Sequence, residues 1–401
     1  METAKGLHLK SSHVAPIRRT DAFTMVTEEV TGANGRKALT GLQARGIFAQ
    51  FNPWGVFLRR WQLDRLEIDS GEVGIQTYEP KPESSPSKPW YALFLPDRVY
   101  LKRVESEPVD VTWHFLGEKG GFFGTRLLIT PNGRDFEYRA NGGTFRLALV
   151  PDLQVDATHL YINHDVVKVY RLDLISPGQN GNTGGTIHVR GEAQLKGNKS
   201  IAAEAEFDAL PLHRWVPKSW QDHLFGKASG KIRYASDSTS AQTSSGEASL
   251  KIEDGLITGL PFLDKLATIT GQRSLETLSL GECSLVGDWR YPRIHLQRIV
   301  LEDEGKLRVE GEITVNDQAL NGAIQLGVAR PYLKWLPQPE EVFRREASGY
   351  LWTTVHLSGT LQDPAQDLSP RIAEALKESP EATLGIFFRD VADWFRRAFG
   401  D

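Results

Sequence analysis

Cysteine is almost absent from this chain, because Cys283 is the only one among 401 residues. A single thiol cannot form an internal disulfide, and it cannot supply a cysteine-based zinc site, which takes several thiolates. One cysteine is compatible with a reducing compartment and equally with a periplasmic protein that avoids unpaired thiols. The cysteine content therefore excludes a disulfide framework and leaves the compartment open.

An excess of basic charge is also missing. Lys and Arg number 47 and Asp and Glu number 51, which gives a formal net charge of −4 at pH 7. Domains that bind nucleic acid normally carry a basic footprint on one face or along one helix. We therefore expect no nucleic-acid partner.

Long hydrophobic runs are missing as well. No apolar stretch approaches the roughly 20 residues that a helix needs to cross a bilayer. The N-terminus lacks the apolar core of a signal peptide, so the sequence as written predicts a soluble chain. Residues Met1 to Leu9 already resemble the interior of a strand protein, which raises the expectation of a further segment upstream.

The strongest pattern in the chain is the alternation of apolar and polar residues from Leu307 to Val315, in which Gly311 takes one inward place. After a turn at residues 316–318 the alternation resumes over residues 320–328, and it returns over residues 355–361. A period of two places every apolar side chain on one face of a sheet and every polar one on the other. The sequence here predicts a sheet with one apolar face.

Similar strands separated by turn residues recur at intervals of roughly 8–12 residues from residue 62 onward, whereas residues 1–40 are weakly patterned. Proline-rich residues 80–89, and the low-complexity residues 176–185 and 236–245, predict loops. Helical signals are few: one helix starts at Pro261 and ends at Gly271, and two consecutive C-terminal helices start at residues 369–370 and 379–380. The chain is predicted to be all-β, mostly antiparallel, with a few short helices and a helical C-terminal tail.

Residues that could carry chemistry are isolated. His159 and His164, the latter beside Asp165, are five residues apart, so on a strand they point to opposite faces and cannot chelate one metal ion. The carboxylates of residues 302–304 precede a glycine between two strands, a setting typical of a solvated turn. No phosphate-binding or nucleophile motif is present. We predict no enzyme activity, no catalytic residue, no metal site and no cofactor.

Two aromatic features leave alternatives open. Trp215, Trp220 and Phe225 fall in one irregular segment, where aromatic rings usually pin a loop onto a sheet edge, and carbohydrate stacking is the sharper alternative. The last helix, with Phe387 and Trp394 on its apolar side, carries three arginines and four acids over residues 381–401. That balance favours packing as a cap over the sheet above docking on an anionic membrane.

Residues 246–364 contain a series of strand motifs in a fixed order: Gly246 to Leu263, Ser279 to Leu285, Val309 to Val315, Gly322 to Val328, and Val355 to Pro364. This series resembles the C-terminal region of AsmA-like proteins. The stretch from Leu66 to Ile75 is similar to the strand-turn-strand unit that this family repeats. These motifs are structural and contain no catalytic residue.

The resemblance implies an elongated, curved sheet that forms a taco-like groove of the bridge-like lipid-transfer kind. It implies residues 1–175 as an N-terminal groove portion, residues 186–364 as the AsmA-like C-terminal groove region, and residues 365–401 as amphipathic helices. It also implies a periplasmic, cell-envelope protein with a role in lipid transport or outer-membrane biogenesis. Members of the family normally carry an inner-membrane anchor, which is absent from this sequence.

On this interpretation the groove holds the acyl chains of phospholipids or other lipids, and outer-membrane or inner-membrane proteins are further partners at its ends. The predicted lipid-groove lining is Leu307, Val309, Ile313, Val315, Ile324, Leu326, Val355 and Leu357. Periodicity alone predicts an ordinary sandwich core from the same residues equally well, and the resemblance favours the groove. The alternative functions are a periplasmic scaffold for outer-membrane proteins, which would bind along the sheet edges, and a carbohydrate-binding β-protein.

Overall fold

The computed structural model describes residues 11–35, 39–58, 60–75, 98–115, 118–132, 135–148, 150–163, 165–178, 183–195, 197–238, 240–361 and 363–376. Strand accounts for 71% of the structure and helix for 11%, and most strand pairs are antiparallel. The predicted all-β class is therefore confirmed. The proline-rich segment 80–89 and the second C-terminal helix, predicted from residue 379, lie outside the described residues.

The chain divides into two compact units. The first comprises residues 1–183 and 187–200, and the second comprises residues 184–186 and 201–401. The division thus falls within and just after one strand, Thr183–Gln194, whereas the sequence placed it between residues 175 and 186. The C-terminal residues 365–376, predicted as part of a separate tail, belong to the second unit.

The first unit is a sheet of neighbouring strands joined mainly by short turns. Its strands are β1 (Ser11–Val14), β2 (Arg18–Arg19), β3 (Thr24–Ala33), β4 (Leu39–Asn52), β5 (Arg60–Ile75), β6 (Arg98–Leu101), β7 (Val104–Phe115), β8 (Glu118–Asn132), β9 (Asp135–Asn141), β10 (Thr144–Leu147), β11 (Val150–Ile162), β12 (Val166–Pro177) and most of β13 (Thr183–Gln194). β5 runs parallel to β6 and β7. A short helix, α1 (Trp54–Phe57), links β4 to β5.

Two of these strands, β3 and β4, fall partly or wholly in the weakly patterned residues 1–40 and the stretch just after them. In β4 the apolar residues stand at even positions before Gly46, as in Leu42 and Ala44, and at odd positions after it, as in Ile47 and Ala49. Gly46 has a φ of 59°, and a Cβ there would overlap the side chain of Asp69. The change of phase at this glycine hides the strand from a search for simple alternation.

The second unit is an antiparallel series in chain order. Its strands are β14 (Ile201–Pro211), β15 (Leu224–Ser236), β16 (Ser244–Thr258), β17 (Thr277–Leu280), β18 (Glu282–Arg290), β19 (Arg293–Asp303), β20 (Leu307–Asn316), β21 (Ala319–Ala329), β22 (Arg345–Ala347), β23 (Tyr350–Gly359) and β24 (Pro364–Gln366). From β18 to β21 each strand pairs with the next, and β21 then pairs with β23. β16 pairs with both β15 and β18.

Most short helical segments of the second unit lie at one end of these strands. They are the 3-10 turns Leu212–Arg214, Lys218–Trp220, Arg273–Leu275 and Arg330–Leu333, and the helices α2 (Pro261–Thr270), α3 (Pro339–Val342) and α4 (Leu368–Leu376). At the other end lie tight turns and the 3-10 turn Ala241–Thr243. The helices therefore sit where they can cover one half of a sheet face and not the other.

The first two predicted helices are present. α2 begins at Pro261 and is capped by Gly271, as the sequence predicts. Gly271 has a φ of 66°, and its amide donates hydrogen bonds to the carbonyls of Ala267 and Thr268. α4 begins at Leu368, one residue before the predicted cap. The side-chain oxygen of Gln366 accepts the amides of Leu368 (2.7 Å) and Ser369 (3.0 Å), so the cap comes from β24 rather than from Ser369.

The packing under these helices predicts a stability effect. Leu351 is 2% exposed and belongs to the cluster that α3 and α4 cover. Replacing it with alanine removes buried methyl groups and leaves a cavity, so we expect Leu351→Ala to lower the free energy of unfolding by about 2–5 kcal/mol. Urea denaturation measures this loss. Leu361→Ala, at a side chain that is 46% exposed, is the control and should change it by less than about 0.5 kcal/mol; equal losses would contradict the packing described.

Candidate functional site

The second unit has one continuous apolar face, which follows from its strand register. Leu307 stands opposite Val328, Val309 opposite Leu326, and Gly311 opposite Ile324, and directly paired residues share a face. Extending the register across every strand gives the apolar face: Ala203, Ala205, Phe207, Leu210, Ala228, Ile232, Tyr234, Ala248, Leu250, Ile252, Cys283, Leu285, Trp289, Ile294, Leu296, Ile299, Leu301, Leu307, Val309, Ile313, Val315, Leu320, Ile324, Leu326, Val328, Leu351, Val355 and Leu357.

One part of this face, here termed the covered half, lies under the helical connections. In the C-terminal part of the unit a buried cluster joins strand residues to residues of the 3-10 turn after β21, α3 and α4: Leu333, Leu336, Val342, Phe343, Leu351, Val355, Leu368 and Ile372. A second buried cluster consists of Leu260, Leu263 and Leu278, with Ile257 and Leu307 packed against it. Leu210, Ala228, Ile252, Cys283 and Ile299 on the face are buried as well.

The other part, here termed the open half, lies toward the tight turns and retains access to solvent. Ile232 is 39% exposed and Ile294 is 48% exposed. Tyr234, Trp289, Ile313 and Val315 are partly exposed, and the rings of Tyr234 and Trp289 stand 6.4 Å apart. Large apolar side chains grouped on one solvated surface are typical of interaction surfaces and ligand-binding grooves.

The predicted lining residues divide between the two halves. Val355 is buried in the C-terminal cluster, and Ile324, Leu326 and Leu357 pack against it. Leu307 packs against the cluster around α2. Val309, Ile313 and Val315 remain partly exposed.

Ile232, Trp289 and Ile294 lie on the apolar face but are not among the lining residues predicted from the sequence. The signal that could have found them is present, because Ala228 to Tyr234 and Leu285 to Trp289 also alternate. Cross-strand register then places Ile232 opposite Ala248 and Ile294 opposite both Trp289 and Val315.

The opposite face of the same strands is polar and cross-linked by ion pairs. Arg308 donates to Glu310 (2.6 Å) and Glu282 (2.8 Å), and also to Glu302. These carboxylates raise the pKa of Arg308 above its ordinary value, first of all through the hydrogen bond that Glu310 accepts. The apolar residues of β20 alternate with Arg308, Glu310 and Thr314, which are all partly exposed. The strand therefore has one polar, hydrated face and one apolar face.

The carboxylate segment at residues 302–304 differs from the expected solvated turn. Asp303 is only 4% exposed, and it accepts the Ser279 amide (2.9 Å) and pairs with Lys306 (2.9 Å). Glu302 accepts the Tyr350 hydroxyl at 2.9 Å. Both carboxylates therefore connect strands, and only Glu304 is exposed. The solvated-turn interpretation was wrong for Asp303, because its carboxylate replaces water with partners from β17 and the turn.

Only one member of the histidine pair lies within the described residues. The His159 ring nitrogen lies 3.2 Å from a carboxylate oxygen of Glu137, and His164 lies outside the described residues. Among the residues that the structure describes, no group of three or more His, Cys, Asp or Glu side chains is arranged to hold a metal ion.

A cavity of about 830 Å³ in the first unit is lined mainly by charged side chains. Its arginines already have carboxylate partners: Arg65 pairs with Glu105 at 3.3 Å and Arg126 with Glu107 at 3.4 Å. Arg171 pairs with the buried Asp173. Because these charges balance within the sheet, the cavity offers little to a charged ligand.

The outer edge of β23 bears on the scaffold alternative. β22 pairs with its first residues and β24 with its last. Between them the Asp367 carboxylate accepts the His356 amide at 2.8 Å, and Arg371 donates to the Thr354 carbonyl at 2.5 Å and to the Thr353 hydroxyl at 2.9 Å. This edge is occupied by the chain's own residues, so it does not offer the free backbone groups that strand addition requires.

The aromatic segment bears on the carbohydrate alternative. Trp220 packs against the buried cluster of Leu260, Leu263 and Leu278, and Phe225 lies 6.1 Å from the ring of His213. Trp215 and Trp220 are both partly buried. The rings thus hold the connection between β14 and β15 against the sheet, in agreement with the simpler of the two interpretations.

No family model, no curated protein and no solved structure matches this chain. The resemblance to AsmA-like proteins therefore stays a prediction. Among the helices that the structure describes, none has both the length and the apolar character to span a membrane.

The contrast between the two halves predicts a difference in thiol reactivity. Cys283 lies in the covered half at 6% exposure, and burial raises its pKa to about 11. At pH 8 the native thiol is therefore protonated and shielded, and we expect iodoacetamide to modify it slowly, faster as the pH approaches 11, and rapidly in denaturant. The measurement is mass spectrometry of alkylated protein over time.

The variant Ile294→Cys supplies the matched comparison, because position 294 belongs to the same face and is 48% exposed. Its added thiol should react at pH 8 in the folded protein while Cys283 stays unmodified. Rapid modification of Cys283 in the native wild-type chain would show that the covered half is not packed as described.

Proposed function

We propose that this protein is a non-enzymatic lipid-binding protein whose open half holds acyl chains. The observation that carries the proposal is the continuity of the apolar face across β14 to β23, with large side chains such as Ile232 and Ile294 left in contact with solvent at one end. A surface of this kind suits a ligand that is apolar, extended and flexible. An acyl chain has these properties.

The energetics support the proposal. Each methylene that moves from water to an apolar surface is worth about 0.8 kcal/mol. Covering a chain of a dozen methylenes even partly therefore amounts to several kcal/mol. Binding of this kind needs no nucleotide, metal ion or catalytic group, only a surface of the right polarity and length.

The two faces of the sheet serve different needs of a lipid-binding protein, namely hydration and contact with the ligand. The ion pairs around Arg308 keep the polar face hydrated, while the apolar face is available to the ligand. The helical clusters close one end of the face, so we place the acyl contacts on Ile313, Val315, Ile232, Trp289 and Ile294. The buried Val355 and the packed Leu307 then support the site without touching the ligand.

The wider setting is inferred from the resemblance. On this proposal the protein acts in the cell envelope, in the periplasm, where it supports phospholipid transport between membranes or outer-membrane biogenesis. Membrane proteins at the ends of the path are then its protein partners. The strand-edge scaffold gains no support from β23, whose outer edge is occupied.

A charge-insertion experiment tests the acyl-chain site. In Ile232→Glu/Ile294→Glu two carboxylates replace exposed apolar side chains of the open half, and we expect binding of a monomeric fluorescent fatty acid to weaken by at least about tenfold, since a carboxylate cannot be desolvated cheaply against hydrocarbon. Fluorescence titration at constant ionic strength measures the affinity.

The matched control is Ser249→Glu/Asn321→Glu, which adds the same charge at exposed positions on the polar face. It should bind the probe like the wild type. A wild-type protein that does not bind the probe, or a control that loses binding equally, would contradict the proposal.

A further inference from the structure

The connection between β4 and β5 exposes a group of large apolar side chains that the function proposed above does not use. Trp54 is 72% exposed, Phe57 is 78% exposed and Leu58 is 62% exposed. Trp61, at the start of β5, is 43% exposed. We refer to residues 53–58 together with Arg60 and Trp61 as the aromatic tip.

The tip is a structured turn. The Asn52 side chain accepts the Trp54 amide at 3.0 Å and donates to Asp64 at 2.8 Å, which fixes the start of the turn on β5. The Leu58 amide donates to the Gly55 carbonyl at 3.0 Å. A Cβ at Gly55 would lie 2.6 Å from the Cβ of Gln62, so glycine is required for the turn to fold this closely onto β5.

The exposed rings are held next to one another. The rings of Trp54 and Phe57 have centroids 5.5 Å apart at an angle of 42°. Phe23, in the turn between β2 and β3, is 49% exposed, and its carbonyl accepts the Phe51 amide at 2.8 Å. The neighbouring turn therefore adds a further apolar side chain at the same end of the first unit.

The charge near the tip has one sign along the chain. The segment from Trp54 to Trp61 contains two arginines and no acidic residue. Arg60 lies 4.5 Å from the centre of the Tyr100 ring and donates to the side chain of Gln62 at 2.9 Å. Arg60 therefore adds a positive charge to a segment that contains no acidic residue of its own.

We propose that the aromatic tip docks the protein on the surface of an anionic lipid bilayer. Tryptophan and phenylalanine beside arginine match the interfacial zone, where amphipathic rings enter the headgroup region and cations meet anionic phosphates. A protein partner would instead require about 800 Å² of complementary surface on each side, whereas the tip projects a few side chains into solvent. The inference goes beyond the acyl-chain site and does not depend on it.

Co-sedimentation with vesicles tests the proposal on the full chain. The vesicles contain phosphatidylcholine with phosphatidylglycerol, or phosphatidylcholine alone. We expect the wild type to bind both, and the anionic vesicles more tightly. The variant Trp54→Ser/Phe57→Ser/Leu58→Ser should lower the partition coefficient for anionic vesicles by at least about tenfold, because three exposed apolar side chains are lost at once.

The matched control is Tyr170→Ser/Tyr291→Ser/Leu361→Ser, which removes three exposed apolar side chains elsewhere, each between 46% and 48% exposed. It should bind vesicles like the wild type. The tip variant should still bind the monomeric fatty-acid probe, so loss of docking is distinguishable from loss of the acyl-chain site. Equal vesicle binding by the tip variant and the wild type would overturn the proposal. The contrary outcome is a wild type that does not bind vesicles but self-associates in a way that the tip substitutions abolish. That result would overturn the proposal and would identify the tip as a protein interface.

A fluorophore at the tip reports insertion directly. In Phe57→Cys an environment-sensitive dye can be attached selectively, because the native Cys283 is buried. On addition of anionic vesicles its emission should shift to the blue and gain intensity, while the same dye at Leu361→Cys should not respond. An unchanged spectrum at position 57 with bound protein would mean that the tip is not the contact.

Discussion

The structure of the second unit depends on keeping the apolar residues of its antiparallel strands on one face, even where a β-bulge shifts the register, as between Leu296 and Ile299 of β19. From β20 to β21 the pairing runs from Leu307 opposite Val328 to Asn316 opposite Ala319 without a shift. Since side chains alternate across a strand, one slipped residue would move a whole row of apolar side chains to the polar face. Retaining the register keeps a single apolar surface over eight strands and separates it from the ion-paired face.

The apolar face is covered at only one end, because the long connections between strands lie at that end. The longer links between strands, after β14, β16 and β21, all occur at the same end, and each carries apolar residues back over the sheet. The opposite end has tight turns and the link between β15 and β16, and none of these contributes a residue to the two buried clusters. The chain thus leaves part of an apolar surface in water, which costs stability and is explained if a ligand occupies that surface.

The sequence predicts the strands well wherever the alternation is strict. Residues 307–315 and 320–328 are the clearest example, and the predicted helix from Pro261 to Gly271 is confirmed because a proline start and a glycine stop are local signals. The phase change at Gly46 hides β4, because the side chains before and after it do not follow one alternation.

Other features of the site could be identified only from the folded structure. Val355 is buried in one cluster with Leu333, Val342 and Ile372, which lie far apart in the chain. No local sequence pattern shows which half of a sheet face such segments will cover. The exposure of Phe57 is likewise invisible in the sequence, where an apolar residue is ordinarily assigned to a core.

The most direct test of the central claim is to locate a bound acyl chain on the protein. A fatty acid with a photoreactive group at mid-chain is irradiated with the full-length protein, and the adducts are mapped by peptide mass spectrometry. Our account predicts adducts concentrated on the apolar-face side chains within residues 230–236, 286–296 and 313–316, and it predicts that an unlabelled fatty acid competes them away. Adducts scattered over the polar face, or no competition by unlabelled lipid, would contradict it.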